Sequence, residues 1–252
     1  MAISSDAVRI PPASDVCPHC DGAGYYKEAV PVGHANFARL MPCVCKREEQ
    51  ARRDMQRLLE LSNLGPLQDK TFESFNQQIS GVERAYRRAL AYALNPRGWL
   101  IMMGNFGCGK THLAAAIANH LLRDHARVLF AIVPDLLDHL RSTFGPTSEV
   151  QYDTRFEEVR DAQYLILDDL GTENTTGWAR EKLYQIINHR YNHAMPTVIT
   201  SNCSPKQIDP RIFSRISDRA LSEEITLIDA GDYRLMPPEQ RYGQQQQRRR
   251  RP

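Results

Sequence analysis

An α/β fold built on a parallel sheet, with a small cysteine-rich unit ahead of it, is predicted by three features of this 252-residue sequence. Apolar runs of strand length alternate with helix-length segments from Gly98 onward, the pattern of strands joined by crossover helices. Between the first run and its helix stands Gly104-Asn-Phe-Gly-Cys-Gly-Lys-Thr111, a glycine-rich loop in the strand-to-helix context that phosphate cradling requires. Four of the six cysteines, Cys17, Cys20, Cys43 and Cys45, crowd near the N-terminus, where too few residues are available for an apolar core.

Composition agrees with an ordinary globular chain: 42% hydrophobic and 25% charged residues exclude a protein disordered throughout. The longest apolar run, Trp99–Met103, is far short of the roughly 18 residues of a membrane span. Asp6, Arg9 and Pro11-Pro12 stand where a signal peptide needs an apolar stretch, so a cytoplasmic location without membrane association is expected. The formal net charge of +2 is uneven. Residues 231–252 carry a surplus of +4 and leave the rest at −2, so nucleic-acid binding by the body would need a local patch.

Taken in order, the first element is the cysteine cluster, spaced C-x2-C-x22-C-x-C over residues 1–46. Two close pairs on separate turns can deliver four thiolates to a tetrahedral Zn²⁺, and a reducing compartment favours metal over disulfides. The expected ligands are Cys17, Cys20, Cys43 and Cys45. His34 is an alternative to Cys43 or Cys45, and His19 a lesser one. With no open position implied, the zinc reads as structural. Residues 47–66 follow as a polar linker helix with late apolar positions Met55, Leu58, Leu59 and Leu61, ending near Gly65-Pro66.

The strand Gly98–Met103 then feeds the glycine-rich loop, and His112–Leu122 continues as a helix. In Gly104, Asn105, Phe106, Gly107, Cys108, Gly109, Lys110, Thr111 and His112, backbone N–H groups and the helix N-terminus favour a polyphosphate. Lys110 is placed for the β/γ-phosphates and the Thr111 hydroxyl for Mg²⁺. A second strand, Arg127–Val133, leads into a helix from Pro134-Asp135, and a third, Tyr164–Asp169, closes on two carboxylates. Asp168 is expected to hold Mg²⁺ and Asp169 to orient the attacking water. Asp169 is one methylene shorter than the Glu often used in that role, which predicts slow unassisted hydrolysis. The fourth strand, Thr197–Asn202, is expected beside the first, bringing Asn202 to the γ-phosphate. Arg211, Arg215 and Arg219 recur every four residues and predict one basic helical stripe, read either as a solvated face or as an arginine finger acting on a neighbouring subunit's ATP. Leu183, Ile186 and Ile187 mark the core face of another helix, which also carries His189 and Arg190. Gln244–Gln247 and Arg248–Arg251 make a low-complexity tail over 236–252, expected to be disordered.

Beyond single motifs, the series Lys70-Thr-Phe-Glu-Ser-Phe75, Gly104–Thr111, Leu165–Gly171, Leu183–Tyr191, Pro196–Asn202, Ser214-Arg-Ile216 and Asp232-Tyr-Arg234 resembles the DnaC/DnaI-type replicative helicase loaders and their relatives, the IstB-type transposition ATPases. Both belong to the initiator branch of AAA+ ATPases. The resemblance implies an AAA+ domain over 67–235 with a five-stranded parallel sheet, ATP and Mg²⁺ as cofactors beside Zn²⁺, and DNA-stimulated ATP hydrolysis. It implies Phe72 and Phe75 near the adenine edge and Asn202 as sensor 1. Arg215 is implied as the arginine finger with Arg219 as second choice, and Arg234 as a sensor-2 or DNA contact. An extra helix over about 136–159 would face single-stranded DNA through Arg141, Thr143, Phe144 and Arg155, with base stacking on Phe144. The implied partners are a hexameric DnaB-type helicase, docked by the zinc unit, single-stranded DNA, and further copies of the chain in an ATP-dependent oligomer. The implied function is ATP-dependent helicase loading at replication initiation or restart. The alternative is an IstB-type regulator of transposition target DNA, a class whose chains generally lack the cysteine unit. A small-molecule kinase predicts an Arg-rich lid and an acceptor pocket, and the sequence offers the Asn202 and Arg215 pair instead; an adaptor that binds ATP without hydrolysis is a further alternative because of Asp169.

Overall fold

Cys17 and Cys20 sit on a tight turn in which the N–H groups of Cys20 and Asp21 both donate to the Cys17 carbonyl. A short antiparallel hairpin follows, β1 (Tyr25–Lys27) and β2 (Leu40–Pro42), with Tyr25 opposite Pro42 and Lys27 opposite Leu40. The Cys43 N–H donates to the Gly24 carbonyl, which brings the second cysteine pair back over the first. These features come from a computed structural model, which describes residues 16–142, 149–172 and 176–237. The chain divides into two units after Gln56. Helix α1 (Val44–Leu61) starts three residues earlier than the expected linker helix and takes Cys45 into its first turn.

The second unit is a three-layer α/β structure. Its elements are α2 (Glu83–Leu94), β3 (Trp99–Gly104), α3 (Lys110–Arg123), β4 (Val128–Ile132), α4 (Val133–Ser142), α5 (Glu149–Arg160), β5 (Tyr164–Asp168), α6 (Gly177–Asn192), β6 (Thr197–Ser201), α7 (Pro210–Ile216), α8 (Arg219–Ser222) and β7 (Ile225–Ile228). The five strands are parallel in the order β4-β5-β6-β3-β7. The fourth strand of the unit therefore does lie beside its first. The fifth, β7, is an edge strand with Leu227 exposed.

Alternation along the strands builds two cores. Leu100, Met102, Phe130, Ile166 and Val198 face α2 and α3, while Ile101, Met103, Leu129, Leu165, Leu167 and Ile199 face α4, α6 and α7. Each such buried Leu or Ile contributes about 1.5–3 kcal/mol. Helix α3 presents Ala114, Ala115, Ala116 and Ala118, all buried, so it can lie close over the sheet centre. The outer edge of β4 is not left bare. Asn63 donates its N–H to the Phe130 carbonyl and accepts the Ile132 N–H on Oδ1.

Two expectations change here. The basic stripe is not one helix: α7 ends at Ile216, and the Asp218 side chain caps a new helix, so Arg219 leaves the line of Arg211 and Arg215. Arg190, which the sequence placed on the helix of Leu183, Ile186 and Ile187 but not on its core face, is fully buried. It completes the α6 stripe Leu183, Ile186, Ile187, Arg190, the spacing of one helix face. Its guanidinium donates to Thr197 Oγ1 (2.9 Å) and to the carbonyls of Arg160 (2.9 Å), Ala162 (2.7 Å) and Pro196 (2.6 Å). It ties the entry of β5 to the entry of β6.

Candidate nucleotide-binding site

Because the strands are parallel, the ends of β3, β5 and β6 open on one rim. There a cavity of about 530 Å³ is lined by Phe106 through His112, by Asp169 and Asn202, by the segment Leu67–Val82, and by Ala230, Gly231, Tyr233 and Arg234. Its size lies within the range of small-molecule and cofactor sites.

Lys110 is nearly buried, and its ammonium donates to the Gly104 (3.0 Å) and Asn105 (2.8 Å) carbonyls, so it is held at the loop. Two glycines of the loop make room for protein as well as for phosphate. Gly107 has φ +70°, and a Cβ there would collide with the Asp232 carboxylate; Gly109 has φ +99°, and a Cβ there would stand 2.9 Å from the Phe75 ring. The strap after β7 is fastened at the same place, the Tyr233 N–H donating to the Gly107 carbonyl at 3.0 Å. Asp232 in turn accepts the Arg234 N–H at 2.9 Å.

Asp168 is buried at the end of β5, and burial pushes its carboxyl above the usual range, only partly offset by hydrogen bonds from Thr200 and Thr111. The Thr200 hydroxyl donates to Asp168 Oδ1 (2.6 Å) and accepts the Asp169 N–H (3.0 Å). Thr200 thus sets the spacing of both acids, a role the sequence reading did not assign. Asp169 takes φ +58°, a left-handed conformation uncommon outside glycine, and this turns its side chain toward the cavity. His112, kept neutral-leaning by burial, lies against the Thr71 carbonyl (3.0 Å) and Ser74 Oγ (3.2 Å) with its ring edge on Phe75.

The remaining expected residues sort clearly. Gly107, Cys108, Gly109, Lys110, Thr111, His112, Phe106, Asp169, Asn202, Phe75 and Arg234 line the cavity; Gly104 and Asn105 frame it through their carbonyls. Phe72 does not: it is buried edge-on against Tyr86 and His120, so Phe75 is the aromatic of that segment on the cleft. Arg215 and Arg219 are away from the cavity of their own chain. Arg141 is exposed at the end of α4, and Arg155 lies 3.5 Å from Glu158 in an ion pair. Thr143, Phe144 and residues 238–252 of the tail lie outside the described residues.

In the first unit the Sγ atoms of Cys17, Cys20, Cys43 and Cys45 lie within 4.8 Å of one another, the only such cluster of possible metal ligands among the described residues. Cys17–Cys43 is 3.7 Å and Cys20–Cys45 is 3.5 Å. Tetrahedral zinc with bonds of about 2.3 Å sets sulfurs about 3.8 Å apart, whereas a disulfide needs about 2 Å. The residues fit zinc. Burial pushes the Cys20 thiol up, but the Gly24 N–H and the neighbouring thiols outweigh it and bring it down to about 7. His34 is not in the cluster; its Nδ1 accepts the Asn36 N–H.

Comparison with known proteins gives a consistent picture. The family model described as IstB-like ATP binding protein matches residues 31–229. The replicative helicase loader DnaC of Escherichia coli (strain K12) is 29% identical over 180 residues, covering 69% of this chain and 72% of that protein. The replicative helicase loader DnaI of Bacillus subtilis (strain 168) is 30% identical over 127 residues, covering 50% of this chain and 39% of that one. A crystal structure of the DnaC helicase loader superposes with a TM-score of 0.54 at 25% identity, covering 66% of this chain and 99% of the other. Among the described residues no helix is long and apolar enough to cross a membrane.

Proposed function

Because the chain belongs to the IstB-like ATP binding protein family, we propose that it is a cytoplasmic ATPase that loads a hexameric replicative helicase onto single-stranded DNA. The observation that carries the reading is the rim where Lys110, Asp169 and Asn202 meet around one cavity, in a chain similar over most of its second unit to proteins named as loaders.

On this reading Lys110 and the loop amides bind the triphosphate, and Thr111 and Asp168 hold Mg²⁺, which when bound neutralises phosphate charge. Asp169 orients the attacking water and takes up its proton, while Asn202 hydrogen-bonds the γ-phosphate. Arg215 of an adjacent copy completes the pocket, with Arg219 as the other candidate, so ATP binding favours assembly and hydrolysis releases it. Phe75 and the segment around it take the base. Arg141 contacts single-stranded DNA from the end of α4. The cysteine unit, ordered by zinc, docks the helicase.

The test is ATP turnover by the full chain with and without single-stranded DNA, and retention of a purified replicative helicase. Wild type should be stimulated by DNA, and Lys110→Ala should abolish turnover; a Lys110→Ala protein as active as wild type refutes the assignment. The resemblance to the IstB-type ATPases supports a second reading, an ATPase that regulates transposition target DNA. Failure to retain the helicase, with ATP-dependent filaments on double-stranded DNA and capture of a purified transposase, would select it.

A further inference from the structure

We propose that Tyr184 and Asn188 are positioning residues, which hold the Arg215 guanidinium ordered and un-neutralised for a phosphate group that another copy of this chain supplies. The inference rests on the reading of Arg215 as a residue acting between copies. What it adds is the device that aims it.

Tyr184, Asn188 and Tyr191 lie at i, i+4 and i+7 on the flank of α6, beside the apolar stripe that ends at Arg190. Arg211 and Arg215, four residues apart on α7, lie across them. The Arg215 Nε donates to Asn188 Oδ1 at 2.9 Å, one Nη to the Tyr184 hydroxyl at 3.0 Å, and the other to the Arg211 carbonyl at 2.8 Å. Its Cζ stands 4.8 Å from the Tyr184 ring centroid and 5.6 Å from that of Tyr191. A long side chain with several rotatable bonds is thereby confined to one pose.

Charge separates the two arginines. Arg211 is met by Asp209 (3.1 Å) and Glu181 (3.3 Å). Arg215 has only neutral acceptors, and among the described residues no carboxylate pairs with it. Asp218, which shares Tyr191 with Arg215, is engaged by the Tyr191 hydroxyl (2.5 Å) and by the Ala220 N–H (2.9 Å). A guanidinium has five N–H donors. Three are used, leaving two, the number a bidentate contact with phosphate takes. A positive group that is fixed in place, matched by no anion and short of two acceptors is pre-organised for one from outside.

The experiment is a mixing assay with full-length chains, because a residue that only supports its own fold behaves alike in either partner. Lys110→Ala cannot turn over ATP but donates Arg215; Arg215→Ala lacks the guanidinium but keeps the pocket. Mixed, they should recover turnover, Lys110→Ala alone being inactive and Arg215→Ala alone depressed by on the order of 10³-fold, the usual worth of an arginine finger. Tyr184→Phe, which keeps the ring and removes the hydroxyl, is then placed on one partner at a time. On the Lys110→Ala chain it should cut the recovered rate about tenfold, through kcat and not KM, the scale of a small misplacement. On the Arg215→Ala chain it should leave recovery intact. Asn188→Leu should behave the same way. Equal recovery with Tyr184→Phe on either chain overturns the positioning role, as does equal loss on both. No recovery in the parent mixture overturns the reading of Arg215 itself and the positioning role with it.

Discussion

Replacing Arg190 with Met should cost about 3–5 kcal/mol of stability without touching the cavity. The side chain is fully buried and makes four hydrogen bonds, three of them to backbone carbonyls at the entries of β5 and β6. Removing one partner from a buried, hydrogen-bonded charged network costs about 3–5 kcal/mol, net of the dehydration that burying the charge required. The same burial lowers the Arg190 pKa to about 10. Met fills similar space but leaves Thr197 Oγ1 and the Arg160 and Ala162 carbonyls without this donor, while the Pro196 carbonyl keeps the Leu165 N–H at 3.4 Å. In thermal unfolding the expected loss corresponds to a fall of roughly 6–20 °C at about 2–4 °C per kcal/mol. Urea unfolding followed by tryptophan fluorescence is the assay. Both tryptophans, Trp99 and Trp178, belong to the second unit, and Trp99 donates to the Met195 carbonyl beside this network. The midpoint should fall with the slope unchanged. Arg190→Lys should also lose most of the stability, because an ammonium cannot span the three carbonyls. A Met variant within 1 kcal/mol of wild type would refute the reasoning.

Four further outcomes are expected. Thr200→Val should lower turnover about tenfold while ATP still binds, because both acids lose the hydroxyl that spaces them; steady-state kinetics beside equilibrium nucleotide binding would show it. Asp168→Asn should abolish turnover yet raise stability near neutral pH. With its carboxyl raised in the folded state, the native protein binds more protons than the unfolded chain just above pH 3.8, so wild-type stability falls as pH rises through that window; the variant should lack this slope in pH-dependent denaturation. Asp169→Glu should increase unassisted hydrolysis, and a large drop in measured turnover would count against the short-carboxylate argument. The purified chain should carry one zinc by elemental analysis, lost in Cys20→Ser, and chelation should unfold the first unit while the tryptophan signal of the second persists.

The glycine-rich loop, the acidic end of β5 and the four thiols were legible because each is encoded in a few contiguous residues. Partners that meet across the fold were not. Asp232 lies 125 positions after Gly107, and nothing in either segment announces that one packs on the other. Thr200 was hidden in plain sight, since a β-branched residue is ordinary in a strand. Arg190 was half legible: spacing put it on the apolar face of α6, and its charge argued it away from there. Spacing misled at Arg211, Arg215 and Arg219, where a period of four implies a helix only if nothing caps in between, and Ser217-Asp218 does. The edge strand β7, four residues behind Glu223-Glu224, carries too weak an apolar signal to be found alone and followed only from the family resemblance.

The clasp between Gly107 and the Asp232–Tyr233 strap has a consequence for biosynthesis. On the ribosome, the loop that grips phosphate emerges more than a hundred residues before the piece that buttresses it, and β7 must first insert beside β3. Nascent chains shorter than this lack the wall that Ala230, Gly231, Tyr233 and Arg234 give the cavity, and the Tyr233–Gly107 hydrogen bond that fastens it. A chain cut short before the strap therefore keeps the Gly104–Thr111 loop but not the surface that closes over it.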